Sequence, residues 1–114
     1  MKPNPAQTKL REIMETDLFC TELRTSLMWD DAKYQELVQL MKEVLNELDG
    51  QRQVPRWLVG VFGSTIRLIE GISKRPDLTF AQGLNLSFAD LEERRRHLFL
   101  LRAWFEGGVR PPGI

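Results

Sequence analysis

The sequence predicts an all-α protein, a small bundle of four to five helices. Apolar residues recur at helical spacing along most of the chain, capping and breaking residues separate these stretches, and no stretch alternates convincingly at period two. A chain of 114 residues, 42% of them hydrophobic, can bury one real core and is too short for two. We therefore expect one helical domain over residues 1–114, with an irregular lead (1–5) and a loose C-terminal tail (107–114).

The stretch Pro55 to Ser73 is predicted to be the central helix. Pro55 suits a first turn, where its missing N–H would have had no helical partner. At about 100° per residue, the apolar side chains cover an arc of roughly 200°, made up of Trp57, Leu58, Val59, Val61, Phe62, Ile66, Leu68, Ile69 and Ile72. So wide an arc predicts neighbours on several sides, and we expect this helix to be the most buried element.

The remaining strip of the central helix carries small residues, with Gly60, Ser64 and Arg67 along it. A glycine inside a helix costs about 0.5–1 kcal/mol relative to alanine, so several on one side suggest a geometric use. The favoured interpretation is close packing of another helix backbone against Gly60 and Ser64. The alternative is a shallow groove for a small molecule, with Arg67 as its polar contact.

Two helices are predicted before the central one, and the first has a break. Residues 6–15 have a helical stripe, which moves to another face beyond Thr16 and continues to about residue 28, so a kink or restart is expected there. The alternative is a single helix over residues 6–28, in which Met14 and Leu18 pack on a different neighbour from Leu23 and Leu27. Either Asp30 or Asp31 can cap a second helix over residues 32–49, whose apolar residues form one narrow stripe. Gly50 is at the position of a left-handed C-terminal residue, and residues 51–54 form a loop.

After the central helix, Pro76 ends the helical region, and Asp77 can cap one or two helical turns between residues 78 and 84. Ser87 and Asp90 then form a capping box that begins the last helix, over about residues 88–106. Gly107 and Gly108 end this helix.

The residues with chemical reactivity are few, and the one pair that could support nucleophilic catalysis is Cys20 with His97, if the two meet in space. His97 is the only histidine and Cys20 the only cysteine, so no zinc set and no intramolecular disulfide can form within one chain. A packed, inert Cys20 is expected. The sequence lacks a glycine-rich phosphate loop and a signal-peptide core, and charges interrupt every long apolar run. We predict a cytoplasmic protein that is not an enzyme, with no cofactor and no membrane contact.

The charges are divided unevenly along a neutral chain. Residues 1–50 carry six basic and ten acidic side chains, a net of −4, and residues 51–114 carry ten basic and six acidic ones, a net of +4. Arg95, Arg96 and Arg102 are the candidate nucleic-acid contacts, while Arg94 lies near the apolar seam and is expected to reach a carboxylate such as Glu70. Residues 76–101 have spacing similar to a helix-turn-helix, although an arginine occupies an apolar position of its second helix.

A second apolar stripe, His97, Leu100 and Trp104, lies opposite the main apolar face of the last helix. We expect it to be exposed and to form a contact site, with cover by residues 10–14 as the competing possibility. The first function hypothesis is a protein–protein interaction module, a regulator or adaptor. We expect it to act as a homodimer and to bind a protein partner of unknown identity. The alternatives are a nucleic-acid-binding regulator and a small-molecule site.

Overall fold

The computed structural model describes residues 5–16, 18–49 and 53–114. Their elements, in chain order, are α1 (Pro5–Thr16), α2 (Leu18–Ser26), β1 (Met28–Trp29), α3 (Asp31–Glu47), α4 (Arg56–Gly60), a π-helical segment (Val61–Thr65), α5 (Ile66–Ile72), β2 (Thr79–Phe80), a 3-10 turn (Ala81–Gly83) and α6 (Phe88–Gly107). The all-α fold class is therefore confirmed. The segments α4, Val61–Thr65 and α5 follow one another without a break, and together they are the central helix predicted from the sequence.

Helices α1 and α2 pack against different neighbours, and residue 17, where the kink or restart is predicted, lies outside the described residues. Helix α1 packs on α3 and buries Leu10 completely, whereas α2 packs on α5 and buries Cys20 and Leu23. Asp30, and not Asp31, caps α3, since its Oδ1 accepts a hydrogen bond from the backbone N–H of Lys33 at 3.3 Å. The expected C-terminal residue Gly50 lies outside the described residues.

Helix α3, and not the central helix, is the most buried element, so that prediction is wrong. Helix α3 packs against α1 and α6 and buries Tyr34, Leu37, Val38, Leu40, Met41, Val44 and Leu45. The central helix packs against α2 and α6 and buries Leu58, Val61, Phe62, Ile66 and Ile69. Its predicted arc was too wide, since Val59 is 54% exposed and Leu68 is half-buried. Within the core, the ring of Phe62 stacks on that of Phe105, with centroids 4.6 Å apart.

The small-residue strip of the central helix is open, which contradicts the predicted close packing. A Cβ placed on Gly60 or Gly63 would meet nothing within 4 Å, and Ser64 and Arg67 are exposed. Close packing of a neighbouring backbone therefore does not explain these glycines. The π-helical turn Val61–Thr65 lies at this point of the helix, and its Val61 and Phe62 are buried in the core.

The connection between the central helix and α6 differs from the predicted helical turns. It includes a two-residue parallel pair, β1 with β2, in which Met28 is opposite Thr79. Thr79 donates hydrogen bonds from its backbone N–H (2.8 Å) and its Oγ1 (3.1 Å) to the carbonyl of Leu27. The helical part is confined to Ala81–Gly83, and Asp77 pairs with Arg75 and caps no helix.

Helix α6 begins and ends as predicted, but the tail after it is not loose. Ser87 and Asp90 form the reciprocal capping box, and Gly108 ends the helix in the left-handed conformation, with φ of 72°. The chain then turns back along α6, where Arg110 donates a hydrogen bond from Nε to the carbonyl of Ile114 at 2.8 Å. Ile114 packs against the core.

Two glycine-to-alanine substitutions should have opposite effects on the free energy of unfolding. Gly108→Ala should lower it by about 1–2 kcal/mol, because a Cβ is strained in the left-handed region. Gly71→Ala should raise it by about 0.5–1 kcal/mol, because Gly71 lies inside α5 with open space around its Cβ position. Urea denaturation of both variants measures these changes. A Gly108→Ala variant as stable as Gly71→Ala would contradict this account of the end of α6.

Candidate functional site

Arg94 of α6 forms a two-pronged ion pair with Asp31 at the start of α3. Its Nε donates to Asp31 Oδ1 at 3.2 Å and its Nη2 to Oδ2 at 3.1 Å, with both side chains largely shielded from solvent. Trp29 Nε1 also donates to Asp31 Oδ1 at 3.0 Å, and the Tyr34 hydroxyl donates to the backbone carbonyl of Arg94 at 3.0 Å. The prediction that Arg94 pairs with Glu70 is therefore wrong. We call Trp29, Asp31, Tyr34 and Arg94 the polar clamp.

The surroundings of the polar clamp favour the charged forms of Asp31 and Arg94 and the protonated form of Tyr34. Burial acts to raise the pKa of Asp31, but the hydrogen bonds from Arg94 and Trp29 outweigh it, so that pKa lies below its ordinary value. The hydrogen bond to Asp31 raises the pKa of Arg94. Burial raises the pKa of the Tyr34 hydroxyl, which stays protonated and can donate its hydrogen bond. The clamp is consequently a structural joint between α3 and α6.

The three arginines proposed for nucleic-acid contact do not form one free basic patch. Arg95 donates from Nη1 to the Oγ (3.3 Å) and carbonyl (3.4 Å) of Ser73, the residue that ends α5. Arg102 pairs with Glu106 on the next turn at 3.0 Å. Arg96 is exposed and lies against the returning tail, at Gly113. Consecutive helical residues point about 100° apart, which places Arg96 away from the other two.

The stripe His97, Leu100 and Trp104 is covered within the chain, so the prediction that it is exposed is wrong. Trp104 is only 7% exposed, and the other two are half-buried. The cover does not come from residues 10–14, as the alternative supposed, since α1 packs on α3. It comes instead from Leu45 of α3 and Leu48 just after it, which line a small cleft together with Trp104, and from the tail. The Arg110 guanidinium lies 5.4 Å from the centre of the Trp104 ring.

His97 is half-buried, and its surroundings disfavour the protonated imidazole. Burial, together with the positive charge of Lys42, lowers the pKa of its imidazole. Among residues 5–16, 18–49 and 53–114, no group of three His, Cys, Asp or Glu side chains is arranged to hold a metal ion. No helix within those ranges has the length and apolar character needed to cross a membrane.

The exposed aromatic residues of α6 lie on a third line of the helix, which the sequence analysis did not identify. Phe88 is 74% exposed and Phe99 is 64% exposed. They are three helical turns apart, so they share one line of the helix. We call this line, which also carries Glu92, Arg95, Arg102 and Glu106, the outer face of α6. The spacing of the two phenylalanines was visible in the sequence, but periodicity alone does not show which apolar line of a helix remains exposed.

A second surface feature is an open cleft of about 410 Å³ between α1 and α3. Its lining includes Glu12, Glu36 and Glu43, with Lys9 as the opposing charge and Ile13 and Leu40 as apolar parts. Solvated charges on two amphipathic helices account for these side chains. The outer face of α6 is therefore the more unusual surface, because it exposes two aromatic rings.

The chain matches no protein-family model, no curated protein and no solved structure. Its function is therefore argued from its own residues.

Replacing Asp31 with asparagine should destabilise the protein in a pH-dependent way. The pKa of Asp31 is lower in the folded chain than its unfolded value of about 3.9, so its contribution is complete above that pH and is lost as the pH falls through the folded pKa. We expect Asp31→Asn to cost about 1.5–3 kcal/mol at pH 7, the range for hydrogen bonds to a charged group. The deficit should shrink towards zero in strong acid.

Urea denaturation at neutral and acidic pH measures this difference. Asp77→Asn is the matched control, because the Asp77–Arg75 pair is exposed to solvent and should contribute little. A deficit for Asp31→Asn that is equal at both pH values would contradict the role assigned to its charge.

Proposed function

We propose that this chain is a small helical protein–protein interaction module, a regulator or adaptor, that binds through the outer face of α6. The observation that carries the proposal is the exposure of Phe88 and Phe99 on one line of a well-anchored helix. Two large aromatic side chains held in water at fixed spacing are costly unless a partner covers them. Aromatic residues and arginine are also enriched at protein interfaces, and this face carries both.

The outer face is preorganised for binding, which supports the same proposal. The capping box fixes the first turn of α6 and the polar clamp fixes its middle, so little conformational entropy remains to be lost on contact. The Arg95 guanidinium lies 5.8 Å from the centre of the Phe88 ring, and its bonds to Ser73 hold it in place. The face is therefore a rigid ridge in which two charged side chains follow each phenylalanine.

These observations favour protein binding over the two alternatives. For nucleic acid, Arg102 is already paired with Glu106, and Glu92 and Glu106 on the same line weaken the positive field that phosphate contact needs. For a small molecule, the strip around Gly60 is open and exposed, whereas ligand sites are usually concave and enclosed.

A photo-crosslinking phenylalanine analogue at position 99 tests this function in cells of the source organism. We expect a discrete protein adduct from position 99 and none from the same analogue at Thr21, an exposed position on α2. Adding Phe88→Ser should abolish the adduct, whereas Val109→Ser should not, because Val109 is equally exposed but lies outside this face. Identical, non-specific crosslinking from positions 99 and 21 would overturn the proposal.

A further inference from the structure

The charges on the outer face of α6 are not all satisfied within one chain. Arg102 and Glu106 neutralise each other at 3.0 Å. Glu92 is exposed and has no ion pair among the described residues, and Arg95 has no carboxylate partner among them. Arg95 uses Nη1 for Ser73, which leaves N–H groups of its guanidinium for another acceptor. The unmatched pair is therefore Glu92 and Arg95, flanked by the exposed Phe88 and Phe99.

These four residues are symmetric about one point of the helix. Glu92 and Arg95 are equidistant from their own midpoint, and so are Phe88 and Phe99. In a two-fold dimer, each contact occurs twice, since residue i meets residue j and j meets i. An antiparallel copy of α6 centred on that midpoint would set Glu92 opposite Arg95 twice and Phe88 opposite Phe99 twice.

We propose that the partner of the outer face is a second copy of this chain, with the two α6 helices packed antiparallel about the midpoint of Glu92 and Arg95. This inference rests on the proposed function and names its partner. The outer face carries two arginines and two glutamates and so has no net charge to attract a strongly acidic or basic partner. Its unmatched pair, Glu92 and Arg95, instead complements its own reverse, because an antiparallel copy sets each of these charges opposite the other.

The two phenylalanines decide the register in which the two antiparallel α6 helices are aligned. Other antiparallel registers also place a glutamate opposite an arginine, but they set the exposed rings against charged or small side chains. With the axis between Arg95 and Phe99, for example, Phe88 faces Glu106 of the second copy. Only the register centred on Glu92 and Arg95 combines Glu–Arg with Phe–Phe contacts, and it leaves the internal pair of Arg102 and Glu106 undisturbed.

Sedimentation velocity of the purified chain over a dilution series tests the pairing. We expect a reversible wild-type dimer, whose dissociation constant rises about tenfold in Glu92→Arg, because the introduced guanidinium would face Arg95 of the other copy at two places. Arg95→Glu should weaken the dimer similarly, and the combined Glu92→Arg with Arg95→Glu should restore it. Phe99→Ser should give a monomer. The melting temperature of each variant separates loss of pairing from loss of folding, since Arg95 also contacts Ser73.

The exchange Arg102→Glu with Glu106→Arg is the matched control, and it should leave the dissociation constant unchanged because that pair lies outside the predicted contact. Wild type that is monomeric at every concentration, or a charge-exchanged Glu92 and Arg95 variant that does not regain the dimer, would overturn the second copy as partner. If the crosslink from position 99 then joins a different protein, the proposed function stands without this partner. If that crosslink is also absent, both fail.

Discussion

The ion pair between Arg94 and Asp31 sets the orientation of α6, on which the rest of the surface depends. The carbonyl of Arg94 also accepts from Tyr34, so three hydrogen bonds join the start of α3 to the middle of α6, and a fourth, from Trp29, holds Asp31 in place. Charged hydrogen bonds shielded from solvent are stronger and more directional than apolar contacts. A helix held in this way cannot rotate about its axis without breaking them.

Once Arg94 points inward, the positions of its neighbours on α6 follow from helical geometry. Leu98 and Leu101 enter the core, and Phe105 stacks on Phe62. Trp104 turns towards α3 and is covered there and by the returning tail. Phe88 and Phe99 are left on the remaining side, facing water. The polar clamp thus both completes the core and creates the exposed aromatic line that we propose as the binding surface.

The sequence was most informative where an interaction is local. The caps at Asp30 and at Ser87 with Asp90 and the helix end at Gly108 each depend on residues within a few positions of one another, and the structure confirms them. Contacts between residues that are far apart in the sequence could not be predicted from such local patterns. The partner of Arg94, the open space beside Gly60 and the cover over Trp104 all depend on which helices become neighbours. Helical periodicity identifies apolar lines, but it does not state which one remains exposed.

A double-mutant cycle on Asp31 and Arg94 tests the central claim most directly. The free energy of unfolding would be measured for wild type, Asp31→Ala, Arg94→Ala and the double variant. If the pair joins α3 to α6 as described, the double variant should lose less stability than the sum of the two single losses, with a coupling energy of about 1.5–3 kcal/mol. Losses that add to within about 0.5 kcal/mol would show that the two residues act independently. The polar clamp would then not be what orients α6.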